Sequence, residues 1–167
     1  MTETLWAPWR MEFILSEKTE GCVFCAAFAA EGEERRARLV LARRENALAL
    51  MNRYPYTHGH IMVVPRRHVS RLEDLDPRER ADLFELTVDA QTVLKLALAP
   101  QGLNLGMNLG KAAGAGIEDH IHVHLVPRWA GDTNFMPVLA DVRVMPETLD
   151  ATWNTLNRGF GSLEDRG

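Results

Sequence analysis

The spacing of apolar residues predicts one long amphipathic helix in the middle of the chain. It begins at Asp76, which suits the N-cap position, with Pro77 at the first helical position and Glu79 where a capping box has its acidic residue. Pro100 and Gly102 end the run. The residues that recur at helical spacing are Leu83, Leu86, Ala90, Val93, Leu94 and Ala97. We therefore expect one face of this helix to pack against the rest of the domain.

Several short segments with the hydrophobic character of β-strands surround this helix. They are Arg38–Ala42, Ala47–Met51, His60–Val64, Leu103–Asn108 and His120–Val126. Residues 43–46 between the first two suit a hairpin loop, and Pro146–Phe160 has the spacing of a second, weaker helix. This order of elements predicts an α+β domain built on an antiparallel sheet, with one long helix and a C-terminal helix.

The composition is that of a folded protein with one core. The chain has 167 residues, of which 46% are apolar and 25% charged. A chain of this length buries about 70% of its unfolded surface and needs no disulfides. This excludes a disulfide-stapled miniprotein, a disordered tail and a coiled coil. The net charge of −4 and the lack of any basic run beyond arginine pairs argue against binding to long nucleic acids.

A pair of cysteines, Cys22 and Cys25, lies in the short apolar stretch 22–30. Acidic residues precede this stretch where an export signal would be basic, and no segment approaches the roughly 20 apolar residues of a membrane span. We therefore expect a cytoplasmic protein with reduced cysteines. There, a C-x-x-C pair indicates metal or redox chemistry, although a thioredoxin-like context is missing and simple core packing is an alternative.

The most distinctive motif is His120-Ile-His-Val-His124, which holds three of the six histidines. Side chains alternate between the faces of a strand, so His120, His122 and His124 would share one face. Three imidazoles can chelate a metal ion, or one can attack a phosphate while its neighbours donate hydrogen bonds. The glycine-rich segment 110–116 directly before the motif favours the phosphate, because backbone N–H groups can approach an anion closely there.

This motif resembles the signature of the histidine triad (HIT) proteins, a family of nucleotide hydrolases and transferases. The resemblance covers nearly the whole chain and includes residues 52–68 and the strand at 103–108. The tryptophan-rich start and residues 127–135 look closest to a bacterial branch that contains diadenosine tetraphosphate phosphorylases. The resemblance implies a single HIT domain over residues 1–167 with a five-stranded antiparallel sheet, in which residues 1–20 form an N-terminal arm.

The activity that the resemblance implies is cleavage at the α-phosphate of adenine nucleotides or dinucleotides. His122 would be the nucleophile and form a nucleotidyl-histidine. His124 would hydrogen-bond the phosphate or the leaving oxygen, and the backbone carbonyl of His120 would accept from the ring of His122. Phosphate as acceptor makes a diadenosine tetraphosphate phosphorylase, water makes a hydrolase, and a phosphoramidate substrate makes an adenosine phosphoramidase. Neither His58, expected at the surface, nor His60, expected as a packed ring beside the cleft, is assigned a catalytic role.

The resemblance also implies substrate-binding positions. Asn108 would lie against the phosphate or the leaving group, and Asn52 stands where the family has a ribose-binding acidic residue. The phosphate loop would include Gly114, Ala115 and Gly116, and the last two stand where many relatives carry glutamine followed by serine or threonine. Because that hydroxyl is missing here, backbone N–H groups would have to bind the phosphate.

A structural zinc ion is the cofactor that the resemblance implies. Some bacterial relatives complete the C-x-x-C pair with two histidines, and the matching residues here are His68 and His120. We therefore expect zinc on Cys22, Cys25, His68 and His120, and no organic cofactor. A closed site of this kind would hold the N-terminal segment to the sheet and take no part in catalysis.

The partners that the resemblance implies are an adenine nucleotide as substrate and a second copy of the chain in a homodimer, with neither a polynucleotide nor a membrane. Two alternatives stay open from the residues alone. One is a metal-dependent hydrolase with catalytic zinc on the three triad histidines, which a chelator would stop at once. The other is a nucleotide-binding module with little catalysis, in which His122 would be dispensable.

Overall fold

The computed structural model describes residues 21–132 and 145–164, which form a sheet covered by helices. The helices are α1 (Val23–Ala29), α2 (Glu33–Ala37), α3 (Pro77–Leu98) and α4 (Leu149–Glu164). The strands are β1 (Val40–Arg43), β2 (Ala47–Met51), β3 (Ile61–Pro65), β4 (Gly102–Met107) and β5 (Val123–Arg128). Two parts of the sequence prediction lie outside the described residues. They are the N-terminal arm expected at residues 1–20 and the last part, residues 133–135, of the segment 127–135 that looks like the bacterial branch.

The strands form one five-stranded antiparallel sheet in the order β1-β2-β3-β5-β4. The first two make the predicted hairpin, and β5 lies between β3 and β4 near the centre. Among the strands that the structure describes, β1 and β4 stand at the edges, and β4 is largely exposed. The predicted α+β fold with a five-stranded antiparallel sheet is therefore confirmed.

The sheet buries apolar side chains on both faces, so its central strands are almost continuously buried. One face packs against α3 and α4 and forms the larger core cluster. The opposite face packs against α1, where Phe24 and Ala27 cover Leu48, Met62 and Val64. Because α1 carries the two cysteines at its start, the second face places the C-x-x-C pair beside the sheet.

The long helix begins and ends where its sequence predicts. The Asp76 carboxylate accepts from the backbone N–H groups of Arg78 and Glu79, and the Glu79 carboxylate accepts from the N–H of Asp76. This is the predicted capping box, which satisfies N–H groups that have no partner within the helix. At the other end, Ala99 adopts a left-handed conformation with φ of 44°, immediately before Pro100.

Other boundaries differ from the prediction. The C-terminal helix begins at Leu149, three residues later than expected from Pro146, and the last strand begins at Val123, not at His120. Pro65 explains the shorter strand, because it has no N–H with which to continue the β3–β5 ladder. The N–H of Ile121 donates instead to the carbonyl of Val69 at 2.8 Å. None of the helices within residues 21–132 and 145–164 is long and apolar enough to cross a bilayer.

Candidate active site and metal centre

The triad histidines lie on the sheet face that is opposite to α3. His124 pairs with Met62, whose side chain belongs to the cluster under α1. Ile121, between the first two triad histidines, packs into the core on the α3 side. The alternation of faces expected from the sequence is therefore present, although the regular strand starts only after His122.

The ring of His122 is held by a backbone acceptor. Its Nδ1 lies 3.0 Å from the carbonyl oxygen of His120, and because a carbonyl only accepts, Nδ1 must carry the proton. Burial is the main influence on this ring and lowers its pKa, while the bond to His120 opposes the change. His122 is therefore a neutral imidazole whose Nε2 holds a free lone pair, the form that can act as a nucleophile.

The ring of His124 contacts two other imidazoles. Its centroid lies 4.7 Å from that of His122 at an interplanar angle of 78°, and its Nδ1 lies 3.0 Å from Nε2 of His60. Burial and, to a smaller extent, the nearby His122 lower the pKa of His124 to about 4. His124 is therefore neutral near pH 7 and can donate one hydrogen bond without carrying a charge.

The two asparagines expected to bind substrate follow two strands, β2 and β4, that β3 and β5 separate in the sheet. Asn52 follows β2, and its N–H donates to the carbonyl of His60 at 2.9 Å. Asn108 follows β4, whose last residue, Met107, pairs with Val123, so Asn108 begins the loop beside the triad. Its side-chain amide donates a long hydrogen bond of 3.5 Å to the carbonyl of Gly114.

The glycine-rich loop closes on itself before the chain reaches the triad. A short 3-10 turn occupies Lys111–Ala113, and the N–H of Ala115 donates to the carbonyl of Gly110 at 3.4 Å. Gly110 and Gly114 have φ of 79° and 84°, in the left-handed region that favours glycine. Gly116 is exposed at the end of this turn. The loop thus has the backbone shape that glycine allows and directly precedes the triad in the chain.

The four residues expected to bind zinc come together in the structure. The Cys22 sulfur lies 3.3 Å from Nδ1 of His120, and the Cys25 sulfur lies 3.7 Å from the same nitrogen and 3.4 Å from Nδ1 of His68. All four candidate ligand atoms lie within 4.8 Å of one another. Among the described residues, they form the one group of three or more histidine, cysteine or acidic side chains that could hold a metal ion. The three triad rings therefore do not form a second such group in this part of the chain.

The chemistry of this cluster fits a tetrahedral zinc ion. Two sulfurs and two imidazole nitrogens are a usual zinc ligand set, and bonds of 2.0–2.3 Å separate neighbouring ligands by about 3.3–3.8 Å. Nε2 of His120 donates to the carbonyl of Pro65 at 2.9 Å, which leaves Nδ1 unprotonated and directed at the cysteines. Burial lowers the pKa of His120 and keeps the ring neutral, as a ligand must be. An ion bound here would hold α1 to the sheet and make the start of this helix more rigid.

Some neighbours of the site are not evident from the sequence. Phe24, between the two cysteines, is fully buried and places its ring centroid 5.1 Å from that of His122 and 5.4 Å from that of His120. Tyr56 lies over His60 with centroids 4.7 Å apart. The position of Phe24 within C-x-x-C is the one sequence signal for its contact with the triad rings. Nothing in the pattern points to the contact of Tyr56 with His60.

The expectation that His58 lies at the surface is wrong. Only 13% of its side chain is exposed, and it packs between the start of α4 and the loop after β2. Its Nδ1 lies 3.4 Å from the Thr152 hydroxyl, and its Nε2 lies 3.9 Å from the Glu147 carboxylate. Burial lowers the pKa of His58. The residue was misplaced because its partners are about 90 positions away in the sequence.

Comparison with known proteins agrees with this geometry. A family model described as HIT domain matches residues 33–131. A protein of Mycobacterium tuberculosis named AP-4-A phosphorylase is 40% identical over 159 residues, which cover 90% of this chain and 80% of that protein. An asymmetrical bis(5'-nucleosyl)-tetraphosphatase of Schizosaccharomyces pombe is 37% identical over 93 residues, which cover 56% of this chain and 50% of that protein.

Solved structures give the same result. The crystal structure of a zinc-bound histidine triad family protein from Mycobacterium smegmatis has a TM-score of 0.68 and 28% identity, and the match covers 88% of this chain and 98% of that one. The family model spans more than half of the chain, and the tuberculosis relative matches most of it. The chain therefore belongs to the HIT family of nucleotide-processing enzymes.

Proposed function

We propose that this chain cleaves diadenosine tetraphosphate at an α-phosphate through a covalent nucleotidyl-histidine on His122. Nε2 of His122 attacks the α-phosphorus and forms a P–N bond, while the bond to the bridging oxygen breaks and ATP leaves. The second step transfers the adenylyl group from His122 to an acceptor. Inorganic phosphate gives ADP and water gives AMP, so the acceptor decides between a phosphorylase and a hydrolase.

The observation that carries the proposal is the 3.0 Å hydrogen bond from Nδ1 of His122 to the carbonyl of His120. It fixes the proton on one nitrogen and leaves the other as a lone pair, which a nucleophile needs and a residue that only binds nucleotide does not. The names of the M. tuberculosis and S. pombe relatives favour a dinucleoside tetraphosphate as substrate. The greater identity and coverage of the phosphorylase favour phosphate as the acceptor.

In this proposal, the neighbouring groups bind and orient the substrate. His124 donates a hydrogen bond to a phosphate oxygen, and Asn108 lies against the leaving group. The N–H groups of Gly114, Ala115 and Gly116 surround the phosphate chain in place of a side-chain hydroxyl. Asn52 hydrogen-bonds the ribose hydroxyls.

The test is a product assay on diadenosine tetraphosphate with and without inorganic phosphate. We expect ATP plus ADP only when phosphate is present, and a mass increase of one adenylyl group on His122 in a short reaction without phosphate. His122→Ala should abolish both the products and the adduct. His58→Ala serves as a matched histidine control and should keep the adduct.

Each other result has a definite meaning. ATP plus AMP in equal amounts with and without phosphate would make the protein an asymmetric hydrolase with the same nucleophile. Cleavage of adenosine phosphoramidates alone would identify the phosphoramidase alternative. Turnover that survives in His122→Ala would refute the covalent mechanism.

We also propose that Cys22, Cys25, His68 and His120 bind a structural zinc ion. The two sulfurs and two imidazole nitrogens, which all lie within 4.8 Å of one another, and the zinc-bound M. smegmatis relative support this proposal. The thiols must stay reduced to bind the metal, which accords with a cytoplasmic location. The catalytic-zinc alternative has less support, since Nδ1 of His120 faces the cysteines and not the other triad rings.

A homodimer is the assembly that we propose. The edge strand β4 exposes half of the Leu105 side chain. On the neighbouring helix α3, Phe84, Val88 and Leu96 are 47%, 55% and 71% exposed. A second copy that covers these residues would pair the open edge and remove apolar surface from water.

A further inference from the structure

We propose that Asn52, the backbone N–H of Tyr56 and the ring of His60 form a hydrogen-bond chain that holds His124 with its ring proton on Nε2. In this form His124 presents an N–H donor to the substrate. The inference rests on the proposed function, because it concerns how His124 meets a phosphate oxygen. His60 is a positioning residue in this chain, since it acts through His124 and does not itself contact the substrate.

The chain begins at the side chain of Asn52, whose orientation is fixed by a backbone donor. Its Oδ1 accepts from the N–H of Tyr54 at 2.9 Å, and only the oxygen of an amide can accept. The amide nitrogen is therefore the atom that faces Nδ1 of His60, at 3.4 Å. The Asn52 side chain presents an N–H group to the imidazole.

The second donor to the same nitrogen comes from the backbone. The N–H of Tyr56 lies 3.1 Å from Nδ1 of His60. A proton on Nδ1 would point at two N–H groups, so Nδ1 must be the acceptor of this neutral ring and the proton must lie on Nε2. His60 is fully buried and lies against the Tyr56 ring, which holds the imidazole in this orientation.

The proton on His60 then determines the proton on His124. Nε2 of His60 is a donor and lies 3.0 Å from Nδ1 of His124, so Nδ1 of His124 accepts. Burial keeps His124 neutral near pH 7, because it lowers the pKa of the ring to about 4. A neutral imidazole with an accepting Nδ1 carries its proton on Nε2. The N–H available to a bound phosphate is therefore set by residues that lie up to 72 positions earlier in the chain.

The amide of Asn52 and the backbone N–H of Tyr56 together set the direction of the chain. A carboxylate at this position would present an acceptor to Nδ1 of His60 and would favour a proton on that nitrogen, in competition with the N–H of Tyr56, which still donates there. Nε2 of His60 would then accept from Nδ1 of His124, and Nε2 of His124 would turn a lone pair toward the phosphate. Asn52→Asp is nearly isosteric and still accepts from Tyr54, so it tests the direction of the chain with little change in packing.

The experiment is NMR of the full chain labelled with 15N-histidine, in which two-bond nitrogen–proton correlations report the tautomer of each ring. His60→Asn and His124→Asn assign the two spin systems by their disappearance. In the unsubstituted protein we expect both rings to carry the proton on Nε2. Asn52→Asp should raise the fraction of His60 rings that carry the proton on Nδ1, whereas the control Tyr56→Phe keeps the backbone donor and should leave both tautomers unchanged.

Kinetics supply the second readout. His60→Leu removes the donor to His124 and should lower kcat for dinucleotide cleavage by on the order of tenfold or more, the scale for one mispositioned hydrogen-bond donor. His60→Gln, whose amide can donate in place of Nε2, should recover most of kcat. Loss of fold would instead affect both variants, and circular dichroism would show it.

The spectrum of the unsubstituted protein decides the proposal even if a variant does not fold. A proton on Nδ1 of His124 would overturn the proposal. The proposal would also be overturned if His60→Leu had the same kcat as the unsubstituted enzyme and His124 kept the same tautomer. A protein that cleaves no dinucleotide would refute the proposed function, and the NMR spectrum would still decide the tautomers.

Discussion

At the scale of the residue, each triad histidine has a different hydrogen-bond partner and therefore a different chemical form. His120 donates from Nε2, so its Nδ1 is unprotonated, whereas His122 donates from Nδ1, so its Nε2 is unprotonated. His124 accepts at Nδ1 from His60. Identical side chains thus take the protonation states that suit the proposed roles of metal ligand, nucleophile and hydrogen-bond donor, and the backbone carbonyls of Pro65 and His120 fix the first two.

Burial of these neutral rings makes the stability of the protein depend on pH. The pKa of His124 falls from 6.5 in an unfolded chain to about 4 in the folded one. Between these values the unfolded chain binds more protons, so the free energy of unfolding falls as the pH falls. For His124 alone the expected loss is about 2 kcal/mol between pH 7 and pH 5.

Urea unfolding at the two pH values measures this loss. The buried rings of His58, His120 and His122, whose pKa values are also lowered, act in the same direction. The comparison is therefore between the unsubstituted protein and His124→Asn, which should lose less stability on acidification. Equal losses in the two proteins would contradict the prediction.

Gly59, which precedes His60, is a position that favours glycine. Its φ is +75°, and a Cβ there would collide with the side chain of Leu98 at the end of α3. Gly59→Ala should lower the free energy of unfolding by about 1–3 kcal/mol, from left-handed strain and repacking. Gly161→Ala, in α4 and with open space around it, is the control and should be neutral or stabilising. Equal effects at the two glycines would contradict this explanation.

At the scale of the element, the short helix α1 joins the proposed zinc ligands to the triad. Cys22 stands at its N-cap and Cys25 in its first turn, and Phe24 between them contacts the rings of both His120 and His122. A helix of 7 residues has little stability of its own. Its place on the sheet therefore depends on the burial of Phe24 and Ala27 and on the ligand cluster.

Removal of the proposed zinc should release this helix. We expect one zinc ion per chain by elemental analysis, and we expect the double variant Cys22→Ser/Cys25→Ser to lose the metal and melt at a lower temperature. Chelation should reduce activity slowly, in step with the loss of structure. His124→Asn is the matched control and should keep its zinc. Stoichiometric zinc in the double cysteine variant would rule out this ligand set.

Elements with strong periodicity or capping signals could be predicted from the sequence, and the others could not. The capping box at Asp76 and the residues 47–51 of β2 agree with the structure. The sequence pattern does not predict the helices α1 and α2, because 5 to 7 residues are too few to show helical periodicity. The start of β5 was placed too early because pattern alone does not show that Pro65 faces this segment.

Only the part of the candidate site that depends on local spacing or on the family resemblance could be predicted from the sequence. The alternation of residues in His120–His124 indicates that the three histidines share one face of a strand. The family resemblance indicates His68 and the two cysteines as zinc ligands. The contact of His60 with His124 depends on the register of two strands, with Met62 opposite His124. Likewise, His58 was misplaced because α4 covers it. Long-range pairing of this kind leaves no signal in the spacing of residues.

At the scale of the whole molecule, the uneven exposure of apolar residues predicts how the chain assembles. Substitution of Leu105→Glu on β4 or Leu96→Glu on α3 should convert the proposed dimer to a monomer, because a buried charge without a partner is costly. Analytical ultracentrifugation measures the change. Arg35→Glu, a charge reversal at a partly exposed residue of α2, is the control and should leave the mass unchanged. Dimers in both leucine variants would place the interface elsewhere.

The double engagement of His120 has a thermodynamic consequence for the molecule. Its ring faces the cysteines, and its carbonyl holds the ring of His122 only two residues further on. Linkage between binding equilibria is reciprocal, so any factor by which the metal tightens nucleotide binding is the factor by which nucleotide tightens metal binding. A nucleotide whose binding the proposed zinc ion tightens would therefore, at high concentration, hold that ion more firmly on the protein.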